Sequence, residues 1–351
     1  GFPGCYPSEY SQDVLQAITT HSNVGGVILV SLGCECFDKT TLYEYIKKSK
    51  REVEVLTIQE NNGTLQSIKL GKTWVEKIFK TLKKTPKVQM DVSELVIGTI
   101  CGGSDGTSGM TGNPAVGKAF DKFVKNDATC IFEETGELIG CEFIMSKRAI
   151  NEAVSKDLID TVNKAANYYT IMGHGSFSTG NATGGLSTQE EKSMGAYAKS
   201  GSSLISGIIT PGYHPSKKGL YLLDVVPDGK ELWGFPNVND TAEIIELISC
   251  GTHVILFVTG RGSVVGSAIS PVIKICANPE TYENLQDDMD INAGKIITGH
   301  STLDEVGDEI YNKVISIANG ELSKSEKLGH REFVLGYKYF DNKETNCGVK
   351  L

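Results

Sequence analysis

Two short stretches hold most of the side chains able to do chemistry. Residues 101–109, CGGSDGTSG, set a thiol, a hydroxyl and a carboxylate (Cys101, Ser104, Asp105) among glycines directly after the apolar run LVIGTI. A phosphate loop at such a place needs GxxxxGK[ST], with backbone N–H groups and a lysine around the anion. No lysine is present here, and the Asp105 carboxylate repels phosphate, so the loop reads as a seat for a metal or a polyhydroxylated ligand. The second stretch, GCEC, sets Cys34, Glu35 and Cys36 after the strand-like VGGVILVSL. Cys101 and Asp105, with Glu133, Glu134 and Glu137 in the next loop, mix soft and hard donors. Such a mixture suits Fe(II), Zn or Mn better than Mg or Ca. Each donor also has a plainer reading, since free cysteines mostly pack and acidic loop residues often cap helices.

Arg261, framed by glycines in VTGRGS, stands out because the chain has four arginines against thirty lysines. A planar guanidinium grips a carboxylate in two-pronged fashion, which lysine cannot do. Its plainer role is to bind backbone carbonyls. Lys192 follows a Gly/Ser/Thr-rich stretch containing Asn181, Gly184 and Gly185, beside Glu190 and Glu191. It can act as a proton carrier if desolvated, or stay a solvated lysine at a helix start. The six histidines show no HExxH spacing, and His21 is a minor candidate.

The elements that must position these groups alternate. Helix-like SEYSQDVLQAITTHSN precedes strand VGGVILVSL, then helix DKTTLYEYIKKSK, strand EVEVLTI and helix 61–85; KKTPK at 83–87 marks an exposed boundary. A second run gives strand LVIGTI, helix AVGKAFDKFVKN, strand ATCIFEE and one long helix from Glu142 to Tyr169. The stretch 173–195, GHGSFSTGNATGGLSTQEEKSMG, reads as a long structureless loop of the lid or ligand kind. Strand GLYLLDVV, helix TAEIIELISCG and strand HVILFVTG complete the pattern. The expectation is an α/β fold of layered, largely parallel sheets with helices on both faces, in two to three subdomains: 1–87, 88–215 (with the Gly-rich loop) and 216–351. Ligands in such sheets gather beyond the carboxyl ends of the strands, so the loops after these strands are expected to share one crevice.

Composition narrows the function classes. At 351 residues, 40% hydrophobic and 22% charged, the chain is that of an ordinary globular protein with room for a buried cleft. A net charge of −9 argues against nucleic acid, which needs a basic patch. The apolar runs are shorter than the ~20 residues that span a bilayer. Nine scattered cysteines without CxxC pairs read as reduced thiols, and a cytoplasmic location is expected.

SLGCE, CGGSDGTSGMTGNPAVG, the ETGE loop, GNATGGLSTQEEKSMG, GLYLLD, TGRGS and MDINAGKIITGHSTLDEVG, in this order, together resemble the altronate and galactarate dehydratase family over nearly the whole chain. The resemblance implies a carbon–oxygen lyase that converts a sugar acid to its 2-keto-3-deoxy product, with Fe(II), or Mn(II) or another divalent metal. It implies Cys34, Glu35, Cys101 and Glu134 as metal-site candidates and Asp105, Lys192 and Arg261 as catalytic ones. Gly102, Gly103, Ser104, Asn181, Gly262 and Ser263 are then the substrate-binding candidates. Family members carry a small N-terminal β-rich module ahead of this region, whereas this sequence starts with GFPGC. The expectation is a fragment or the large subunit of a two-subunit enzyme; sulfolactate sulfo-lyase has a similar large subunit and expels sulfite. Expected partners are the sugar acid, a small N-terminal-type module or subunit and another copy of the chain. A non-catalytic sugar-acid binding protein is the alternative from another class.

Overall fold

The computed structural model describes residues 9–35, 37–173, 175–226 and 239–336; Cys36 lies outside them. The chain divides into two compact units, the first within residues 1–90 and the second essentially 91–336. In the first unit, α1 (Glu9–Thr19), β1 (Gly26–Ser31), α2 (Lys39–Lys48), β2 (Glu52–Thr57) and α3 (Thr64–Leu82) follow in order. β1 and β2 pair in parallel, Gly26 opposite Glu52. Asp38 caps α2 by accepting from the Thr41 N–H at 2.9 Å, and Leu42 and Ile46, one turn apart, bury its inner face. Arg51 donates to the carbonyls of Val24 and His21.

The second unit holds β3 (Val96–Cys101), α4 (Gly112–Lys125), β4 (Thr129–Phe132), α5 (Glu142–Ser146), α6 (Glu152–Met172), α7 (Thr179–Thr183) and α8 (Gln189–Ala198). β5 (Ile205–Ile209), β6 (Gly219–Leu223), α9 (Asp240–Ser249), β7 (Val254–Thr259), β8 (Val272–Cys276), α10 (Pro279–Asn284), β9 (Ile291–Asn292), α11 (Leu303–Ala318) and α12 (Lys324–Leu328) complete it. Among the described residues the strands form one parallel sheet in the order β5-β6-β4-β3-β7-β8-β9. Strands from both 88–215 and 216–351 therefore join the same sheet.

Every residue of β4, β7 and β8 is buried, as a sheet covered on both faces requires. Ile97, Leu256 and Val258 share a core with Ala115, Ala119 and Phe120 of α4 and Val306 and Ile310 of α11. Alternation along the strand turns Gly98 the other way, against Leu247 of α9. Helices thus cover both faces, and the fold is α/β with largely parallel sheets.

Two local expectations change. The single helix expected from Glu142 to Tyr169 is split, because residues 147–151 run along the sheet edge, where Ile150 donates to the Ile205 carbonyl and Ile205 to that of Arg148. Asn151 then caps α6 by accepting from the Val154 N–H. The stretch 173–195, expected to be structureless, carries α7 and the start of α8, capped by Ser178 and Thr188.

α8 lies against α4 with almost no side chain between them. A Cβ on Gly109 would stand 2.9 Å from the Gly195 Cα, and one on Gly117 would collide with the Ala198 carbonyl oxygen and the Gly201 backbone. Alanine in a helix gains about 1 kcal/mol over glycine, but a clash with backbone cannot be relieved by a rotamer change. Gly117→Ala should therefore lose about 1–3 kcal/mol net, as overpacked sites do. Urea denaturation should show a lower midpoint with an unchanged slope.

Candidate functional site

Strand order reverses at β3, with β4 on one side and β7 on the other, which in parallel sheets opens a crevice at the carboxyl ends. The three loops leaving these strands meet there. Gly102 donates to the Val258 carbonyl at 3.0 Å, and the Gly103 carbonyl accepts from Arg261 N–H at 2.9 Å. Gly103 has φ +60°, a left-handed geometry natural to glycine.

Cys101, the last residue of β3, is buried and sits at the centre. Its sulfur is 3.1 Å from Glu134 Oε2 and 3.3 Å from Glu137 Oε2. Glu134 Oε2 also accepts the Cys101 N–H at 3.0 Å. Glu134 holds φ 82° and ψ 55°, a conformation unfavourable for a side-chain-bearing residue, and it is this sharp turn after β4 that the buried carboxylate accompanies.

Two lysines of one helix segment answer these carboxylates. Lys192 Nζ lies 2.6 Å from Glu137 Oε1 and donates to the Ser176 carbonyl at 2.8 Å. Lys199, fully buried at the end of α8, contacts Glu134 Oε2 and stands 3.4 Å from Cys101 Sγ. An exposed pair such as Lys118 with Asp304 contributes about 0–1 kcal/mol. Breaking a buried pair costs about 3–5 kcal/mol, because it strands a charge away from water.

α9 adds more acid. A Cβ on Gly102 would overlap the Asp240 carboxylate. Burial, and then the charge of Glu137, raise the Asp240 carboxyl to about 6. Glu243, one turn on and buried, is pushed well above the usual carboxylate range by burial, Asp240 and Glu137, against the pull of Lys199. The Cys101 thiol is raised to about 11 by burial and Glu137, countered by Lys199, a Ser104 hydrogen bond and Lys192. Burial, Glu243 and Glu137 raise the Tyr169 phenol as well.

Asp105 is buried and held by hydrogen bonds on both oxygens. Its Oδ1 accepts from Thr107 N–H at 2.8 Å, Thr107 Oγ1 at 2.5 Å and Ser108 N–H at 3.1 Å, and its Oδ2 accepts from Asn278 Nδ2 at 3.1 Å. It ties the loop after β3 to the residues after β8. Asn181 Oδ1 accepts from Ser178 N–H and Oγ in the cap of α7. Arg261 is exposed and donates from Nη1 to the Gly180 carbonyl at 2.9 Å. Arg148, by contrast, spends its whole guanidinium on Ser200 and Ser203. Gly262 donates to Thr259 Oγ1, and Ser263 Oγ accepts from Val265 N–H.

Cys34 and Glu35 belong to the first unit. Cys34 is exposed, with Gln59 Nε2 3.8 Å from its sulfur. Glu35 Oε2 accepts the Gly33 N–H at 2.8 Å, and hydrogen bonds from Ser31 and Gly33 hold its carboxyl down at about 2. His21 is buried and its Nδ1 accepts from Asn23 N–H. The six described cysteines are free thiols.

The arrangement can hold a cation. Donor atoms of Cys101, Glu134 and Glu137 all lie within 4.8 Å of one another. Adjacent ligands on zinc- or iron-type ions stand roughly 3–4 Å apart, given bonds near 2.0–2.3 Å.

Residues 92–340 match the profile of the D-galactarate/altronate dehydratase C-terminal domain, and residues 3–83 that of the D-galactarate dehydratase/altronate hydrolase second domain. The chain belongs to the galactarate/altronate dehydratase family. It is 32% identical to (2R)-sulfolactate sulfo-lyase subunit beta of Chromohalobacter salexigens, over 90% of this chain and 79% of that protein. It is 30% identical to altronate dehydratase of Bacillus subtilis, over 93% of this chain and 64% of that protein. It is 33% identical to galactarate dehydratase (L-threo-forming) of Escherichia coli, over 87% and 58%. The chain thus spans less than two thirds of the length of these two dehydratases.

Lys199, Asp240 and Glu243 join the site from outside the sequence motifs named above. Lys192 and Lys199 are seven residues apart, two helical turns, which puts both on one face. Asp240, Glu243 and Glu246 recur every third residue in an otherwise apolar helix, another usable signal.

Asp105→Ala should free two loop N–H donors and the Asn278 amide. The expected loss is about 1–3 kcal/mol of stability, the usual range for stranded donors. Calorimetric unfolding of the variant should show a lower midpoint.

Proposed function

We propose that this chain is the catalytic part of a metal-dependent sugar-acid dehydratase, acting on a polyhydroxy acid such as altronate or galactarate. The observation that carries the reading is the Cys101, Glu134 and Glu137 donor set at the switch-point crevice of the family-matched region. One thiolate and two carboxylates suit Fe(II), with Mn(II) or another divalent ion as the alternative. When bound, such an ion supplies Lewis-acid charge against the developing negative charge of the substrate carboxylate.

The chain's own groups do the rest. Asp240, raised to about 6, is suited to take the proton from Cα, since a base works best with an affinity near the working pH. Lys192, paired with Glu137, gives a proton to the departing C3 hydroxyl, which leaves as water. The enol left behind becomes the 2-keto-3-deoxy acid. Backbone around Gly102 and Gly103, with Ser104, receives substrate oxygens. Arg261 keeps its remaining N–H edge for a substrate carboxylate, beyond the one bond to Gly180. Cys34 and Glu35 remain candidates from the first unit.

A second reading is favoured by the sulfo-lyase subunit match, in which 79% of the relative is covered. There the same Cα deprotonation would expel sulfite instead of water and leave pyruvate after tautomerisation. The relatives' greater length, and the word subunit in one name, support a small accompanying module or subunit.

Anaerobic Fe(II) reconstitution followed by a screen of altronate, galactarate and sulfolactate decides between the readings. Release of a 2-keto-3-deoxy acid supports the dehydratase, and release of sulfite with pyruvate the sulfo-lyase. Metal binding without turnover of any substrate would defeat both.

Two variants test the roles. Asp240→Asn should lose the acid limb of the pH profile of kcat/KM, which in the parent falls as pH drops through about 6 because the base becomes protonated. Arg261→Lys should lose roughly tenfold to a thousandfold in kcat, about 1.4–4 kcal/mol of transition-state stabilisation. A rise in KM alone would assign Arg261 to ground-state binding.

A further inference from the structure

The two lysines that face the donor set stand differently towards it. Lys192 meets Glu137 through Oε1, whereas the oxygen of Glu137 that faces the Cys101 sulfur is Oε2. Lys192 can therefore stay where it is when a cation binds. Lys199 meets Glu134 through Oε2, the same oxygen that faces Cys101, and its ammonium is 3.4 Å from the sulfur itself. It touches two of the three donors on the atoms a cation would use.

We propose that Lys199 is a positioning residue that acts as the resident counter-cation of this site: it holds Cys101 and Glu134 together in the metal-free protein and withdraws from them when a divalent ion enters. The inference rests on the metal-binding reading given above. An ammonium is a compact point charge on a flexible stem, so it can fill a cation's place and then move off. With Lys199 on Glu134 and Lys192 on Glu137, two carboxylates are matched by two ammoniums before any metal arrives. Metal affinity is then set by a competition inside the protein, and the donors are kept at ligand spacing.

The test uses the full chain, Co(II) as the probe, and two readouts besides activity: calorimetric affinity and the thiolate-to-cobalt charge-transfer absorption. Lys199→Met keeps the length and removes the charge. It should bind Co(II) at least about tenfold more tightly than the parent, with the same absorption band. Metal-free, it should unfold at a lower temperature, and Co(II) should restore the loss. Lys192→Met should tighten binding by less than a third of that factor. Equal tightening in both variants would reveal a general field effect and overturn the specific role, as would unchanged or weaker binding in Lys199→Met. If Lys199→Met does not fold, Lys199→Arg decides, since a bulkier retained cation should bind Co(II) more weakly than the parent; equal or tighter binding overturns the proposal. A parent that binds Co(II) with the thiolate band, beside a Lys199 variant that fails these expectations, sinks this inference alone. Absence of Co(II) binding in parent and variants sinks the metal reading and this inference with it.

Discussion

Charge compensation among buried carboxylates is the constraint around which the second unit is organised. Glu134, Glu137, Asp240 and Glu243 converge beside Cys101 at the ends of three neighbouring strands. Carboxylates gathered in low dielectric either find positive partners or take up protons. Both responses occur here. Lys199 and Lys192 partner the two carboxylates nearest the sulfur, while the acids of α9 have their proton affinities raised.

The fold supplies that compensation through close backbone packing. α8, which carries both lysines at its start and end, reaches the site only because Gly109, Gly117, Gly195 and Gly201 let it approach α4. α4 is in turn fixed by α11, where Phe123 stacks on Tyr311 with ring centroids 4.5 Å apart. Gly102 leaves room for Asp240, and Gly260 for Asp105, so the glycines of the crevice make space for carboxylates. Asp105, saturated with loop donors, keeps the loop after β3 in register with the residues after β8.

Much of this was legible in the sequence, for reasons that differ by residue. The α/β alternation shows because β4, β7 and β8 are buried on both faces and so read as unbroken apolar runs. Cys101, Glu134 and Glu137 stood out as donors placed directly after such runs. Lys199 did not, because a lysine at a helix end among serines looks like an ordinary solvated cap, and its burial shows only in the tertiary contacts with Glu134 and Cys101. Asp240 and Glu243 are hard to see because acids on a helix are ordinarily exposed, whereas α9 is buried along most of its length. The helices within 173–195 were masked by glycine and serine content, although Ser178 with Asn181, and Thr188 with Glu191, carry start signals. The local turn made by Asp105 with Thr107 and Ser108 is of a readable kind, but its tie to Asn278 is not, since Asn278 is 173 residues away.

The left-handed turn at Glu134 bears on how the site comes into being. Cys101 and Glu134 are separated by 33 residues, and Cys101 and Lys199 by 98. Contacts this distant close only after much of the chain has collapsed, because the loop entropy must be met first. The left-handed geometry of Glu134 costs about 1–2 kcal/mol, which the pairing of β4 with β3 and the contact with Cys101 offset in the folded protein. The donor cluster therefore joins residues far apart in the chain, so its spacing belongs to the assembled sheet and not to any local segment.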